Sequence, residues 1–140
     1  MRSITDSERA GVLDAEVYRE EREQYVTRME ADGFEILVPE GNELQIDLDS
    51  ASGFYIFLRR WERFAQEYEN ASWRAYPSKS GLPHRHVVVS LPFGVNAAER
   101  IALQAILGSD PTREMLSVFR YYRGDPCPTL LARKAQGSSQ

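Results

Sequence analysis

Residues 43–49, Glu-Leu-Gln-Ile-Asp-Leu-Asp, alternate strictly between polar and apolar side chains. A period of two is typical of a half-buried strand, in which the leucines and the isoleucine face the core. Asp47 and Asp49 then leave together from the other face. Two carboxylates about 6–7 Å apart along a strand repel each other, so a fold that keeps such a pair usually holds a cation between them.

The Asp-x-Asp pair has two interpretations. Hard divalent ions such as Mg²⁺ take carboxylate oxygens, so the pair predicts a metal site on the polar face of the strand. A solvated outer face is the commoner explanation for such a pair when nothing else accompanies it. Residues elsewhere in the sequence are needed to choose between the two interpretations.

Composition excludes several classes of protein. A length of 140 residues favours one domain, and 42% hydrophobic residues are enough for a packed core. The only cysteine is Cys127, so neither a disulfide framework nor a cysteine-rich zinc site can form within one chain. There is no apolar run near the roughly 20 residues of a membrane span, and the N-terminus has no apolar signal region. We therefore expect a cytoplasmic protein that does not bind membranes.

Charge is distributed unevenly along the chain. Residues 1–32 carry nine acids and five bases, net −4, and residues 33–73 carry eight acids and three bases, net −5. Residues 74–134 carry four acids and nine bases, net +5. An acidic half that holds metal and a basic half that holds phosphate would suit a nucleotide site, although a mixed surface gives the same sums.

Hydrophobic periodicity and turn residues predict four helices and five strands. The predicted helices cover residues 7–32, 54–68, 96–107 and 110–122, and the predicted strands cover residues 34–38, 44–49, 73–76, 84–91 and 129–132. In the last helix, the apolar residues expected to point inward are Met115, Leu116, Phe119 and Tyr122.

This order predicts an α+β fold. Strands 34–38 and 44–49 are expected to form a hairpin, and the whole order reads hairpin, helix, hairpin, helix, strand. It implies an RRM-like, mostly antiparallel sheet with helices on one face and the other face left open. The predicted organisation is an N-terminal helical extension over residues 1–32, a core over 33–134 and a disordered tail over 135–140.

The strand over residues 84–91 carries two imidazoles. If Val87 and its alternate neighbours meet the helices, then His84 and His86 point to the same side of the sheet as Asp47 and Asp49. Two carboxylates and two imidazoles would then share the open face. The alternative for His84 and His86 is an ordinary exposed pair on a strand.

Two further segments offer ligand-binding groups. Ser78, Lys79 and Ser80, followed by a glycine, are suited to cradle a phosphate, although a plain polar loop has the same composition. Asp110 precedes a proline, which is the usual start of a helix, and it is also placed to complete a metal cluster. Arg113, one turn later, would reach an anionic ligand at that helix N-terminus.

These motifs together resemble the archaeo-eukaryotic primase superfamily, which includes the primase–polymerases of phages and plasmids. The Asp-x-Asp pair, the Ser-x-Ser-Gly loop with a histidine and an apolar strand, and a later acid occur here in the family's order. The separations are 37 residues from Asp49 to His86 and 24 from His86 to Asp110. The resemblance covers about residues 34–133, and either His84 or His86 can take the histidine role.

The resemblance implies a nucleotidyltransferase that acts in nucleic-acid replication, from a phage or another mobile element. Asp47, Asp49 and Asp110 would hold Mg²⁺ or Mn²⁺ and form the catalytic set. His86, together with Ser78, Lys79 or Ser80, would hold the phosphates of the nucleoside triphosphate. Arg113, from its place at the helix N-terminus, is a further candidate for binding the nucleotide. The implied partners are single-stranded DNA or a primer–template, and a helicase or other replication protein.

Three other functions fit the same residues. The chain can be a non-catalytic module that binds single-stranded nucleic acid by stacking bases on Tyr76, Tyr121 and Tyr122. It can hold a transition metal between His84 and His86. It can also be a structural or regulatory protein whose charged N-terminal helix contacts another protein.

Overall fold

The computed structural model describes residues 20–77 and 81–135, and over these it has four helices and five strands. The helices are α1 (20–31 in its described part), α2 (Ala51–Glu67), α3 (Ala97–Ile106) and α4 (Pro111–Tyr122), and the strands are β1 (Phe34–Leu37), β2 (Glu43–Leu48), β3 (Ser72–Pro77), β4 (Arg85–Ser90) and β5 (Leu131–Lys134). The predicted α+β class is confirmed. None of the helices in this part of the chain combines the length and the apolar character that crossing a membrane requires.

The larger sheet is antiparallel and has the strand order β2-β4-β3. Its central strand carries His86, which pairs with Asp47 on one side and with Tyr76 on the other. The predicted pairing of β3 with β4 is confirmed. Because residues that pair directly across strands share a face, Asp47, His86 and Tyr76 form one row across the sheet.

The alternation of polar and apolar residues in β2 places one side of this sheet in the core. The fully or almost fully buried apolar side chains of the core are Leu44, Ile46, Leu48, Phe57, Val87, Val89, Leu91 and Leu107. Helix α2 covers this side, and its Phe57 ring lies 5.4 Å from the ring of Trp73 in an edge-to-face contact. The helix begins earlier than predicted, because Ser50 caps it by accepting a hydrogen bond from Gly53 N at 3.0 Å.

The predicted hairpin of β1 with β2 is wrong. Strand β1 pairs with β5 in a separate two-stranded antiparallel sheet, with Phe34 opposite Lys134. The edge of β2 that does not pair with β4 is covered by groups from α3, α4 and the turn between them. The hydrogen bonds on this edge run from Arg100 Nε to Glu43 O (2.8 Å), from Gln45 N to Gln104 Oε1 (2.8 Å), from Asp47 N to Ser109 Oγ (3.0 Å), from Asp110 N to Asp47 O (2.7 Å) and from Arg113 Nη1 to Gln45 O. No position remains there for β1.

The predicted inner face of α4 is also wrong. Met115, Leu116, Phe119 and Tyr122 are exposed, and the helix buries Glu114 and Ser117 instead. The Glu114 carboxylate accepts hydrogen bonds from Ser109 Oγ at 2.6 Å, Gln104 Nε2 at 2.9 Å and Arg113 Nη1 at 2.6 Å. Buried polar groups need partners, so the network at the edge of β2 fixes the rotation of α4.

The described part of α1 packs against the core. Arg22 forms an ion pair with the buried Asp125, and its Nη1 donates to Cys127 O at 3.1 Å, while Met29 is buried. The predicted start of this helix near residue 7 lies outside the described residues, and so does most of the predicted tail. The last strand begins two residues later than predicted, at Leu131.

Candidate functional site

Three carboxylates from two distant parts of the chain meet at one end of β2. Asp47 lies near the end of the strand, Asp49 follows it, and Asp110 precedes α4. One oxygen atom of each lies within 4.8 Å of the other two. We call these three residues the acid triad. The Asp47 side chain is 25% exposed, so the triad lies at the boundary between the protein interior and solvent.

The turn between α3 and α4 brings Asp110 to β2. Gly108 takes a φ of 96°, a left-handed conformation that favours glycine and lets the chain reverse tightly. Ser109 Oγ then accepts from Asp47 N, and Asp110 N donates to Asp47 O. Asp110 also caps α4, because its Oδ2 accepts from Arg113 N at 3.2 Å. The predicted capping role is therefore confirmed, and the geometry leaves the metal role open to this residue.

Both histidines lie beside the triad. His86 Nε2 is 3.6 Å from Asp47 Oδ1, and His84 Nδ1 is 3.7 Å from Asp49 Oδ1. The His86 side chain is mostly buried and that of His84 is exposed. The predicted convergence of carboxylates and imidazoles on one side of the sheet is thus present in the structure. Their roles in binding metal and nucleotide remain predictions.

The ionisation of Asp47 reflects this crowding. Burial raises the pKa of its carboxyl group, the negative charges of Asp49 and Asp110 raise it further, and Arg113 and His84 act in the opposite direction. The ionised triad is therefore unfavourable without a compensating positive charge. Three carboxylates with no thiolate are a donor set that suits a hard divalent ion such as Mg²⁺ or Mn²⁺. Over residues 20–77 and 81–135, the two histidines do not join any set of three clustered ligands.

The triad borders a cleft of about 370 Å³, which we call the histidine cleft. Besides the triad, its lining includes His84, His86, Arg113, Arg120, Tyr25 and Leu116. Sequence reasoning missed Tyr25, Leu116 and Arg120. The sequence could have predicted Arg120, because it lies seven residues after Arg113 and so on the same face of α4. Tyr25 comes from α1 and carries no local signal.

Arg113 has a structural role that the sequence did not predict. Its side chain is 12% exposed, and the guanidinium donates to Glu114 Oε2, to Leu130 O at 3.1 Å and to Gln45 O. The arginine therefore links α4 to β2 and to the segment before β5. It also lowers the pKa of Asp47 by its positive charge. Direct contact with a phosphate remains a prediction.

The triad also borders a second cleft of about 370 Å³, on the side of α2. Its lining includes Ser50, Ser52 and Arg60 together with the triad, and we call it the serine cleft. The three carboxylates are thus accessible from two sides. The predicted phosphate loop of Ser78, Lys79 and Ser80 lies outside the described residues, between Pro77 at the end of β3 and Gly81.

Comparison with known proteins finds no family model, no curated protein and no solved structure that matches this chain. The resemblance to the primase superfamily therefore stays a prediction from the sequence motifs.

Proposed function

We propose that this chain is a nucleotidyltransferase domain of the primase–polymerase kind that binds a nucleoside triphosphate together with Mg²⁺ or Mn²⁺. One observation carries the proposal: the acid triad shares a cleft with two imidazoles and two arginines. Carboxylates suit a divalent ion, and the neighbouring basic side chains suit the phosphates that such an ion accompanies.

The residues take the following roles in this proposal. The triad holds the metal, and when bound there such ions lower the pKa of an attacking 3′-hydroxyl and stabilise the charge on a leaving pyrophosphate. His86, which pairs with Asp47 across the sheet, holds a phosphate group. Ser78, Lys79 and Ser80 are the further phosphate ligands that we propose. Arg113 fixes the cleft wall and adds positive charge near Asp47.

The two clefts support a transfer reaction over simple binding. A nucleotidyl transfer needs two substrates, an incoming nucleotide and the hydroxyl that attacks it, on either side of the catalytic carboxylates. The histidine cleft carries the basic groups that suit the triphosphate. The serine cleft then takes the end of a primer strand. Single-stranded DNA or a primer–template is accordingly the proposed second substrate, and a helicase or another replication protein is a proposed partner.

Calorimetry of ATP and dATP binding with and without Mn²⁺ tests the metal role. We expect binding by the wild-type protein only with the ion. We expect loss of that binding in Asp47→Asn/Asp49→Asn. The matched control is Glu62→Gln/Glu67→Gln on α2, which makes the same change of charge away from the clefts and leaves binding intact.

Release of pyrophosphate in the presence of a primed single-stranded template tests the transfer itself. We expect release from the wild-type protein and from the α2 control, and none from the double asparagine variant. Metal-dependent nucleotide binding that survives in that variant would refute the role of the triad.

A second candidate function has an observation in its favour. The exposed apolar residues of α4, Met115, Leu116, Phe119 and Tyr122, are typical of an interaction surface. They favour a non-catalytic module that binds single-stranded nucleic acid or protein. Binding of single-stranded DNA at full strength in EDTA, with no release of pyrophosphate, would favour this alternative.

A further inference from the structure

A third cavity, of about 290 Å³, lies beside the histidine cleft on the same face of the larger sheet. Its floor is formed by two rows of paired residues. Tyr76 and His86 belong to one row, and Gln45, Val88 and Arg74 form the next. Its walls come from the smaller sheet and the segment after β1, through Leu37, Val38, Leu131 and Arg133. We call this space the tyrosine cavity.

The charged groups of the tyrosine cavity are largely compensated. Arg133 forms an ion pair with Glu35, and Arg74 lies 3.5 Å from a carboxylate oxygen of Glu43. Arg74 Nε also donates to the Tyr76 hydroxyl. Because acids already accompany both arginines, the cavity suits a neutral ligand better than a phosphate.

One polar group of the floor has an unmet hydrogen bond. Gln45 is 3% exposed, and its Nε2 donates to Leu37 O at 3.2 Å. Its Oε1 is buried and has no hydrogen-bond partner. A buried amide oxygen without a donor is costly, and a rearrangement of the Gln45 side chain that lets this oxygen accept from a ligand N–H group in the cavity would recover that cost.

The tyrosine cavity adjoins the histidine cleft, since His86 and Leu131 line both. The row Asp47, His86, Tyr76 runs from the triad into the cavity. Two strand spacings separate its ends, which is about 10 Å. A single ligand can therefore place its phosphates beside a divalent ion at the triad and a planar end against the tyrosine.

We propose that the tyrosine cavity binds the base of the nucleotide whose phosphates bind in the histidine cleft. The inference rests on the function proposed above, because it needs the phosphates at the triad. The base stacks on the ring of Tyr76, with Val88 and Leu131 as apolar walls. An N–H group on the edge of the base faces the amide of Gln45. His86, between the two spaces, lies under the sugar.

Calorimetry with two ligands in the presence of Mn²⁺ tests the proposal. Inorganic triphosphate probes the phosphate site alone, and ATP probes the phosphate site together with the cavity. We expect the wild-type protein to bind ATP about tenfold more tightly than triphosphate, the size expected for one base stacked on an aromatic ring.

The variants separate stacking from folding. Tyr76→Leu keeps apolar bulk and removes the ring face, so the preference for ATP falls to about one while the affinity for triphosphate is unchanged. Tyr76→Phe keeps the ring and keeps the preference. Tyr55→Leu is the matched control, because Tyr55 is exposed on α2 and its hydroxyl also accepts from an arginine, Arg59.

The outcomes distinguish the two proposals. Equal affinity of the wild-type protein for ATP and triphosphate, or an unchanged preference in Tyr76→Leu, overturns the base site and leaves the metal and phosphate site standing. Failure of both ligands to bind with Mn²⁺ overturns the function proposed above and the base site with it.

Discussion

Asp110 donates its backbone N–H to the carbonyl oxygen of Asp47 at 2.7 Å, so the last acid of the triad is hydrogen-bonded to the strand that carries the first. Ser109 adds a second link, because its Oγ accepts from Asp47 N and donates to Glu114. The separation of the carboxylates is therefore set by backbone contacts between β2 and the turn before α4. The geometry of the acid triad therefore depends on residues, such as Ser109, that are not themselves proposed to bind the metal.

Replacing Ser109 tests this dependence. Ser109→Ala leaves Asp47 N without its acceptor and removes one donor from Glu114, so we expect a loss of about 1–3 kcal/mol in the free energy of unfolding. We also expect weaker Mn²⁺ binding, because the lost hydrogen bond between Ser109 and Asp47 helps to hold the adjacent Asp110 beside the strand. Urea denaturation and calorimetry measure the two effects.

The control for this change is Ser117→Ala. Ser117 is also fully buried, but its Oγ donates to the helical carbonyl of Arg113, and no backbone N–H loses its acceptor. We expect a smaller loss of stability and no change in Mn²⁺ affinity. Equal effects of the two variants on the metal would contradict the positioning role of Ser109.

The raised pKa of Asp47 predicts a dependence of stability on pH. The pKa of Asp47 in the folded protein lies above its unfolded value of 3.8, so folding favours the protonated carboxyl group. Stability is then lost as the pH rises from the unfolded pKa to the folded pKa, and the loss is complete above the folded value. Asp47→Asn removes this loss.

We therefore expect Asp47→Asn to be more stable than the wild-type protein at pH 7 in EDTA. The difference should shrink as the pH approaches 3.8. Urea denaturation of both proteins across this range measures it. Excess Mn²⁺ at pH 7 should reverse the order, because the ion stabilises only the protein that binds it. An asparagine variant less stable than the wild type in EDTA at pH 7 would contradict the assignment.

The rotation of α4 gives a prediction about stability. Phe57 is fully buried, whereas Phe119 is 55% exposed. We expect Phe57→Ala to cost about 3–5 kcal/mol, and Phe119→Ala to cost less than about 1 kcal/mol because it leaves no cavity. Denaturant melts of both variants compare the two. A large cost at Phe119 would show that α4 buries the face that its apolar pattern indicated.

These two phenylalanines also show how far the sequence could predict the fold. The alternation in β2 is a local pattern that predicted the buried side of the sheet correctly, and Phe57 of α2 packs on that side. The apolar period of α4 is equally regular, but it predicted the wrong side. What decides the orientation of α4 is the need of Glu114 for partners at the edge of β2, and this is a contact between distant segments.

The same reason limits what could be predicted about the site. Asp47 and His86 lie on neighbouring strands, so alternation was enough to place them on one face. The pairing of β1 with β5 depends on what occupies the free edge of β2, which no short pattern records. Tyr25 lines the histidine cleft on α1, a helix that is joined to the segment after α4 by the ion pair of Arg22 with Asp125.

Arg113 and Arg120 both line the histidine cleft, and we expect different effects from their replacement. Arg113 is the ion-pair partner of the buried Glu114, so Arg113→Gln leaves that carboxylate without its positive partner. Removing one member of a buried pair costs about 3–5 kcal/mol. Arg120 Nη1 donates to Pro128 O at 3.4 Å, a long hydrogen bond, so we expect Arg120→Gln to lower the free energy of unfolding less than Arg113→Gln does. The Arg120→Gln change should instead weaken the binding of inorganic triphosphate with Mn²⁺. Denaturant melts and calorimetry separate the two roles, and a stable Arg113→Gln protein that fails to bind triphosphate would assign Arg113 to the ligand.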